Sequence, residues 1–380
     1  MSNNSSMLQI EAVQTPAQMK RFIRVPAKVQ ANDPMFVPQL ELERAEAFSP
    51  KHNPYFAHAR TQFWIATRNG RDIGRISAQI DDLAPSYRDE QAGHFGLIVG
   101  EDDAVVFASL FATAEAWLRE RGCKKIIGPF NLSVNEETGL LVDGFDVPPM
   151  LLMGHDPRYA GGRIEAQGYR KVRDLYAYIY DITQPPPKLL MRMINRQQGR
   201  YTVRPLDMKN YKRDINTITD IYNDAWAGNW GFVPYTPAEV DHLAKALKPL
   251  LDPQLVPIAE WDGKPVGFGV TLPNLNEAIH DLNGKLLPLG WAKLLWRLKV
   301  SGVKGGRVPL MGVRRSSAQS LGASVIPFLL VETMRKRALE RGFRQIELSW
   351  ILEDNKPMRG MIETVGAKIY KTYRVYEKAL

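Results

Sequence analysis

Cysteine is almost absent from this sequence, and this scarcity narrows the chemistry that the chain can use. The 380 residues include one cysteine, Cys123, so the chain can form neither an internal disulfide nor a cysteine-based metal cluster. The 6 histidines are scattered without the spacing of a zinc site, and we expect no metal. A reducing compartment is the simplest interpretation of this composition.

Long apolar runs are also missing. No stretch of about 18 apolar residues occurs, which excludes a conventional membrane-spanning helix. The first residues, Met1 to Glu11, lack the order of a signal peptide, in which basic residues precede an apolar run. The sequence therefore predicts a cytoplasmic protein.

Acidic residues are fewer than basic ones, 41 against 50, which leaves a formal net charge of +9. Nucleic acid, a phosphorylated cofactor and acidic lipid headgroups would all match this charge, whereas a solvated basic surface would need no partner. The basic residues are spread along the chain without a nucleic-acid-binding signature, so nucleic acid is the least favoured of these partners.

What the chain does contain is one internal repeat. Its length already predicts two domains of ordinary size. Each half has a hairpin-like segment, a helix-like segment, a strand-like segment, and then a short helix, a glycine and an aromatic strand. A chance likeness between two ordinary α/β domains is the alternative. The matching pairs are 63–79 with 257–272, 105–122 with 326–342, 123–130 with 343–351, and 155–182 with 353–378.

The repeat predicts an α/β protein with a first domain over 8–182 and a second over 201–380. Three prolines, 185–187, interrupt regular structure in the joining segment 183–200. The first half also carries an insertion at 128–149, directly after a strand. Long insertions at the end of a strand often carry ligand chemistry.

The motif MGVRRSSAQSLGASV, at 311–325, predicts a phosphate site in the second half. An apolar strand runs into a loop of small and basic residues that opens a helix, where consecutive backbone N–H groups bind a diphosphate. Arg314 and Arg315 would add positive charge. An ordinary strand–loop–helix turn is the alternative. The candidate binding residues in this motif are Met311, Val313, Arg314, Gln319, Ser320, Leu321, Gly322, Ala323 and Ser324.

Two spacings carry a family resemblance. Gln319, Gly322 and Ser324 have the spacing Q-x-x-G-x-S, and Asn355 stands eleven residues before Gly366. On these residues the chain resembles the GNAT acyltransferase superfamily, whose Q/R-x-x-G-x-G/A loop binds the CoA diphosphate. The resemblance implies two tandem GNAT-like halves, each a mixed, largely antiparallel sheet flanked by helices. It also implies Asn355 as a further CoA-binding residue, acyl-CoA as co-substrate, and no metal.

The two halves carry this resemblance unequally, well over 201–380 and more loosely over 8–182. In the first half the corresponding loop, 99–105, is acidic, and carboxylates repel a diphosphate. We therefore expect a degenerate first half that contributes acceptor contacts. In the second half, Ile362 stands where the GNAT family often has a tyrosine as general acid, so acid catalysis would come from elsewhere or be dispensable.

At closer range the chain resembles a bacterial group of tandem GNAT-like proteins, through 128–146, 153–161 and 371–378. Some members of this group are similar to bacterial ceramide synthases, so the resemblance implies acylation of a sphingoid base by acyl-CoA. Acetyl or aminoacyl transfer to a small molecule or peptide is a second hypothesis, and a tRNA-borne donor would suit the basic charge. A non-catalytic ligand-binding scaffold is the third.

The segment 285–306 combines leucines, Trp291 and Trp296 with lysines. Lys293 and Arg297 are four residues apart and would share one helical face. This composition is typical of a helix that lies in a membrane interface, which would place the protein at the inner face of a membrane. A helix packed on the core, with its lysines extended into water, is the alternative.

Amide formation from a thioester needs an unprotonated amine and a route for its proton. Glu136 and Glu137 in the insertion, His155 behind an apolar run, Glu347 on a strand and Tyr373 on the last strand are the candidate catalytic residues. Solvated loop charges, a structural histidine and core packing of the tyrosine are the alternatives.

Overall fold

The same order of strands and helices occurs twice along the chain. The computed structural model describes residues 7–196, 199–318 and 325–380. Two units form: the first contains the chain up to Leu175 together with Ile279–Lys293 and Lys371–Leu380, and the second contains Tyr176–Ala278 and Leu294–Tyr370. Two segments that are distant in the sequence thus belong to the first unit.

The first half contains nine strands and five helices within the described residues, besides a 3-10 turn at Pro54–Ala57. They are β1 Gln9–Ala12, α1 Pro16–Val29, α2 Glu41–Ala47, β2 Ala59–Arg68, β3 Arg71–Asp81, α3 Pro85–Glu90, β4 Ala92–Gly100, α4 Ala104–Arg119, β5 Lys125–Gly128, β6 Phe130–Asn131, β7 Glu137–Thr138, β8 Leu140–Asp143, α5 Ala160–Glu165 and β9 Arg170–Asp181.

The second half repeats this order with an added helix at its start and a helical excursion before the parallel strands. Its elements are α6 Lys188–Arg196, β10 Tyr201–Arg204, α7 Tyr211–Trp226, α8 Pro237–Leu247, β11 Ile258–Trp261, β12 Lys264–Pro273, α9 Leu275–Ile279, α10 Gly290–Trp296, β13 Gly305–Val313, α11 Arg315–Ala318, α12 Ile326–Glu340, β14 Gln345–Leu352, α13 Lys356–Thr364 and β15 Lys368–Ala379.

Both predicted hairpins close through the expected two-residue turns. Asn69 and Gly70 join β2 to β3 with φ of 53° and 73°, and Asp262 and Gly263 join β11 to β12 with φ of 48° and 74°. Two consecutive positive φ angles are characteristic of the type I′ turn, which Asn-Gly and Asp-Gly favour because few other side chains tolerate them.

Each unit has a mixed sheet with the same pairing. In the first unit β1, β2, β3 and β4 are antiparallel neighbours, β5 joins β4 in parallel, and the end of β15 pairs antiparallel with β5. In the second unit β10 to β13 are antiparallel neighbours, and β14 joins β13 in parallel. The predicted α/β class, with largely antiparallel sheets flanked by helices, is therefore confirmed.

A long helix packs closely on each sheet, α4 in the first unit and α12 in the second. A Cβ on Gly93 would lie 2.3 Å from a methyl of Leu118, and one on Gly269 would lie 2.7 Å from the sulfur of Met334. Glycine at these strand positions lets the helix backbone come close, so interior packing fixes each helix against its sheet. In each unit this helix lies after the first strand of the parallel pair, β4 before α4 and β13 before α12.

Two predicted segments differ in their local structure. Within 183–200, residues Lys188–Arg196 form α6 directly after the three prolines, because proline is tolerated at a helix start. Within 285–306, α10 is short and continues as a wider π turn at Arg297–Ser301 before β13 begins. No helix among the described residues combines the length and the apolarity needed to cross a membrane.

Candidate functional site

In the second unit, two parallel strands part at their C-terminal ends. The paired register covers 305–308 on β13 and 345–348 on β14. Both strands continue beyond it, to Val313 and Leu352. Ligands of α/β sheets bind beyond the carboxyl ends of parallel strands, and peptide groups that leave a ladder need other partners. This opening is the candidate site for an elongated ligand.

The residues predicted to bind a diphosphate follow β13. The amide of Arg314 donates to the carbonyl of Val266 (2.8 Å), and its Nε donates to that of Pro265 (3.1 Å), which directs this side chain along β12. Arg315 is the more exposed of the two arginines, and its amide donates to Asp224 at 2.8 Å. Six predicted residues lie outside the described part of the chain: Gln319, Ser320, Leu321, Gly322, Ala323 and Ser324.

The other predicted binding residues lie on described elements of the second unit. Met311 and Val313 occupy the part of β13 beyond the paired register, and the Met311 carbonyl accepts a hydrogen bond from the Trp226 indole at 3.1 Å. Asn355 is the N-cap of α13, where its side-chain oxygen accepts a hydrogen bond from the amide of Met358 at 3.2 Å. The cap fixes the Asn355 side chain at a helix start.

Glu347 lies near the end of the paired register, fully buried on β14. One carboxylate oxygen lies 3.2 Å from Nε of Arg307 and accepts a hydrogen bond from the Ser349 hydroxyl at 2.5 Å. The other accepts a hydrogen bond from the Tyr370 hydroxyl. The Arg307 guanidinium also lies over the Trp350 ring, 4.6 Å from its centroid. A buried carboxylate held in this way keeps its charge compensated and orients its neighbours.

The first unit has a matching pair of parallel strands. The register between β4 and β5 covers 92–94 and 125–127, and β4 continues to Gly100. Chain segment 130–132 packs directly on this extension. A Cβ on Gly96 would lie 1.8 Å from the carbonyl oxygen of Phe130.

Side chains hold this segment in place. The Leu97 amide donates to the side-chain oxygen of Asn131 at 2.7 Å, and the Gln79 amide group donates to the Phe130 carbonyl at 2.6 Å. The Tyr55 hydroxyl donates to the carbonyl of Leu132 at 3.1 Å. In the first unit, segment 130–132 therefore covers the end of β4. The equivalent place in the second unit is the end of β13, beyond its register with β14.

The helix start in the first unit is occupied by a carboxylate. Asp103 caps α4, and its side chain accepts a hydrogen bond from the Val105 amide at 2.8 Å. Arg68 lies 2.7 Å from the other oxygen of Asp103 and lowers the pKa of this carboxyl, which therefore stays charged. A negative charge at this place repels a diphosphate, so the acidic loop seen in the sequence disfavours phosphate binding at the start of α4.

Glu137, from the insertion, is buried in the first unit. One of its oxygens accepts a hydrogen bond from Gln39 at 2.6 Å, and the other accepts one from Asn131 at 2.8 Å. Arg44 lies 3.7 Å from the first oxygen. Glu136 is half-buried beside it. Burial opposes the charge of Arg44, but Glu43 above all, with Glu137 and Glu136, keeps the pKa of Arg44 above its ordinary value. Both carboxylates belong to the network that anchors the insertion.

His155 also lies in the first unit, with 1% of its side chain exposed. Its Nε2 is 2.9 Å from a carboxylate oxygen of Asp33, and its Nδ1 is buried without a hydrogen-bond partner among the described residues. Burial lowers the pKa of His155, and Asp33 partly offsets this shift. The Tyr373 hydroxyl, fully buried, donates to the carbonyl of the preceding Gly154 at 3.1 Å.

The structure thus brings His155 and Tyr373 together and keeps Glu136 and Glu137 in the same unit. Glu347 belongs to the second unit with the CoA-binding candidates. Sequence reasoning missed Asp33 and Arg307. Asp33 is 122 positions from its partner in a loop without a motif. Arg307 had one signal, a charged residue inside an otherwise apolar strand segment.

Comparison with known proteins identifies relatives over nearly the whole length. No family model matches the chain. It is 53% identical over 375 residues to the bacterial ceramide synthase of Caulobacter vibrioides (strain NA1000 / CB15N), covering 98% of both chains. It is 44% identical over 365 residues to protein YghO of Escherichia coli (strain K12), covering 95% of this chain and 93% of the other.

Among solved structures, the tandem GNAT protein from the clavulanic acid biosynthesis pathway matches with a TM-score of 0.57. The match covers 98% of each chain at 10% sequence identity, so it concerns the fold alone. Together with the repeated element order, these relationships define the family. The chain belongs to the family of the bacterial ceramide synthase, and it is an acyltransferase with the tandem GNAT fold.

Proposed function

We propose that the protein transfers an acyl group from acyl-CoA to the amino group of a sphingoid base, which forms a ceramide-type amide. The relationship to the bacterial ceramide synthase, at 53% identity over 98% of both chains, supports this acceptor. Acceptors of this kind are membrane lipids, so the proposal places the protein in the cytoplasm, at the inner face of a membrane.

The observation that carries the donor side is the parting of β13 and β14 directly before the loop of small residues. In the proposal, backbone N–H groups of 319–324 hold the CoA diphosphate, and Arg315 adds charge. Met311 and Val313 line the arm that carries the thioester, and Asn355 contacts it from the start of α13. The second half, 201–380, is then the acyl-CoA-binding half.

The reaction forms one bond and breaks one. The amine nitrogen attacks the thioester carbonyl carbon, the C–N bond forms, and the C–S bond breaks. CoA leaves as a thiolate and takes up a proton to become the thiol. The acceptor is mostly an ammonium ion at neutral pH, so it must lose a proton before attack.

We assign the role of proton acceptor to His155. Burial favours the neutral form of its ring, which can accept a proton, and Asp33 orients the ring. The first half, 8–182, then contributes acceptor contacts. Tyr373 acts as a positioning residue for the His155 segment, and Glu136 and Glu137 hold the insertion. Glu347 acts as a positioning residue for the parting strands, through Arg307.

Binding of acyl-CoAs of graded chain length tests the donor assignment. We expect the melting temperature to rise with acyl length, and ligand at a hundredfold excess over its Kd adds about 2.7 kcal/mol of stability. Gly322→Glu places a carboxylate where the diphosphate would bind and should abolish the shift. Gly162→Glu adds the same charge at an open glycine of α5 and should leave the shift unchanged.

Product analysis by mass spectrometry tests the acceptor, with a sphingoid base and long-chain acyl-CoA as substrates. The N-acylated base is the expected product. Transfer of acetyl groups alone would favour the small-molecule hypothesis. Absence of stabilisation by every CoA would overturn the enzyme proposal in favour of a scaffold.

A further inference from the structure

Six large apolar side chains of one short segment point into solvent. The exposed fraction of each is half or more: Leu287 79%, Leu289 73%, Trp291 50%, Leu295 50%, Trp296 58% and Val300 70%. We call these six residues the apolar patch. Soluble proteins rarely expose so many large apolar side chains together unless the surface binds something.

The local structure explains why this surface stays exposed. Leu294 and Leu298, one turn apart, pack against the core of the second unit. Arg297 lies on the same side and donates to the carbonyl of Ala278 at 2.8 Å. This side anchors α10 and the π turn after it, so the residues between these anchors face away from the core. The helix is therefore packed through one side only.

The polar atom of Trp291 in the patch does not depend on water for a hydrogen bond. The indole N–H of Trp291 donates to the carbonyl of Pro288 at 3.1 Å, so this polar atom already has a partner inside the protein. A tryptophan whose N–H is satisfied loses little when its ring leaves water. Tryptophan and leucine are also the side chains that interfacial helices place at the boundary between headgroups and acyl chains.

The charged residues within segment 285–306 all have one sign. Segment 285–306 contains five lysine or arginine residues and no aspartate or glutamate. Lys285, Lys299 and Lys304 are exposed, while Lys293 pairs with Asp281. Basic residues beside an apolar face are attracted to anionic lipid headgroups.

We propose that the apolar patch docks on an anionic lipid bilayer, with Trp291 and Trp296 entering the interface and the lysines contacting lipid phosphates. This inference rests on the proposed function, because a membrane-resident acceptor requires an enzyme that reaches the bilayer. The proposed function specifies neither the membrane-binding surface nor the charge of the lipid, and the apolar patch with its lysines supplies both.

Flotation of the full chain with vesicles tests the proposal in the absence of any substrate. The vesicles contain either phosphatidylcholine alone or phosphatidylcholine with about one-third phosphatidylglycerol, a fraction that gives a strongly negative surface. We expect the protein to float with the anionic vesicles and to dissociate as salt is raised, because salt screens exposed charges.

Two variants separate the contributions of ring and charge. Trp291→Ser combined with Trp296→Ser should abolish flotation. Lys285→Gln combined with Lys299→Gln should weaken it about 25-fold, since each basic residue near an anionic surface strengthens binding about fivefold. The matched control is Val105→Ser with Leu189→Ser, which removes comparably exposed apolar side chains that lie outside segment 285–306. This control should float like the unchanged protein.

Three outcomes would overturn the docking proposal. They are unchanged flotation of the double tryptophan variant, equal binding to phosphatidylcholine alone, and a dimer that the tryptophan substitutions dissociate. The last would show that a second copy covers the patch. Acyl transfer to detergent-solubilised acceptor distinguishes the two proposals. If the tryptophan variant loses flotation but retains this activity, both proposals stand, whereas inactivity of the unchanged protein would remove only the proposed function.

Discussion

At the scale of single residues, His155 carries the most specific expectation. Three charged groups act on its ring: Asp33 raises its pKa, while Lys371 and Arg158 lower it. Burial is the largest influence and lowers the pKa below the ordinary value, so the ring is neutral near pH 7. If His155 takes the proton of the acceptor, kcat/KM falls when the pH drops through this lowered pKa.

The acid limb of the pH profile is the range in which kcat/KM falls as the pH drops. Asp33→Asn should move this limb in a defined direction. The carboxylate of Asp33 stabilises the imidazolium, so its removal lowers the pKa of His155 further and moves the acid limb to lower pH, by about one unit. A pH profile of kcat/KM measures the shift. Asp146→Asn removes a carboxylate that pairs with Arg158 on the surface and should leave the limb within a few tenths of a unit.

A limb that stays in place in Asp33→Asn, or moves to higher pH, would show that another group titrates. A purely structural role of Asp33 would lower activity at every pH without moving the limb. The direction of the shift therefore separates orientation of a base from simple support of the fold.

At the scale of elements, the two parallel strand pairs have the same topology, but the chain continues differently after each pair. In the first unit the chain's own segment 130–132 packs on the end of β4, held by Leu97 and Asn131. In the second unit β13 is followed by α11, and the small residues 319–324 after it lie outside the described part of the chain. One insertion after β5 accounts for this difference, because it supplies the segment that lies on β4.

Gly96→Ala tests how tightly this segment is packed. The new Cβ would lie 1.8 Å from the carbonyl oxygen of Phe130, a backbone atom that moves only with its whole segment. We expect a loss of about 1–3 kcal/mol in the free energy of unfolding, as for other overpacked interiors. Denaturant unfolding measures this loss, and hydrogen exchange should show faster exchange at the Leu97 amide.

Gly162→Ala is the matched control for this substitution. Nothing lies within 4 Å of a Cβ at Gly162, which is in α5, so alanine should be neutral or stabilise the helix by up to about 1 kcal/mol. Equal unfolding midpoints for the two variants would contradict the close packing of segment 130–132 on β4.

At the scale of the whole molecule, the chain has two copies of one fold whose sequences differ in charge at the segment before the long helix. The first copy has the Asp103 carboxylate at the start of α4 and its own chain on β4. Titration calorimetry should therefore find one acyl-CoA site per chain and none in Gly322→Glu. Two sites per chain would contradict the degenerate role that we assign to the first half.

The fold was largely predictable because its signals are local. Asn69-Gly70 and Asp262-Gly263 encode their hairpins through turn chemistry, and apolar periodicity marked the two long helices. The candidate site was less predictable. The pairing of His155 with Asp33, and of Glu347 with Arg307, joins residues far apart in the sequence, and no local pattern reports such a contact.

By itself, the sequence determined the duplicated element order, the hairpin turns and the difference in charge between segments 99–105 and 311–325, because each depends on neighbouring residues. Tertiary structure decided which unit receives Lys371–Leu380, which side of α10 is covered, and that segment 130–132 lies on β4. These outcomes depend on surfaces that meet only after the chain has folded. Periodicity along one element marks an apolar face, but packing against distant residues selects which part of it is buried.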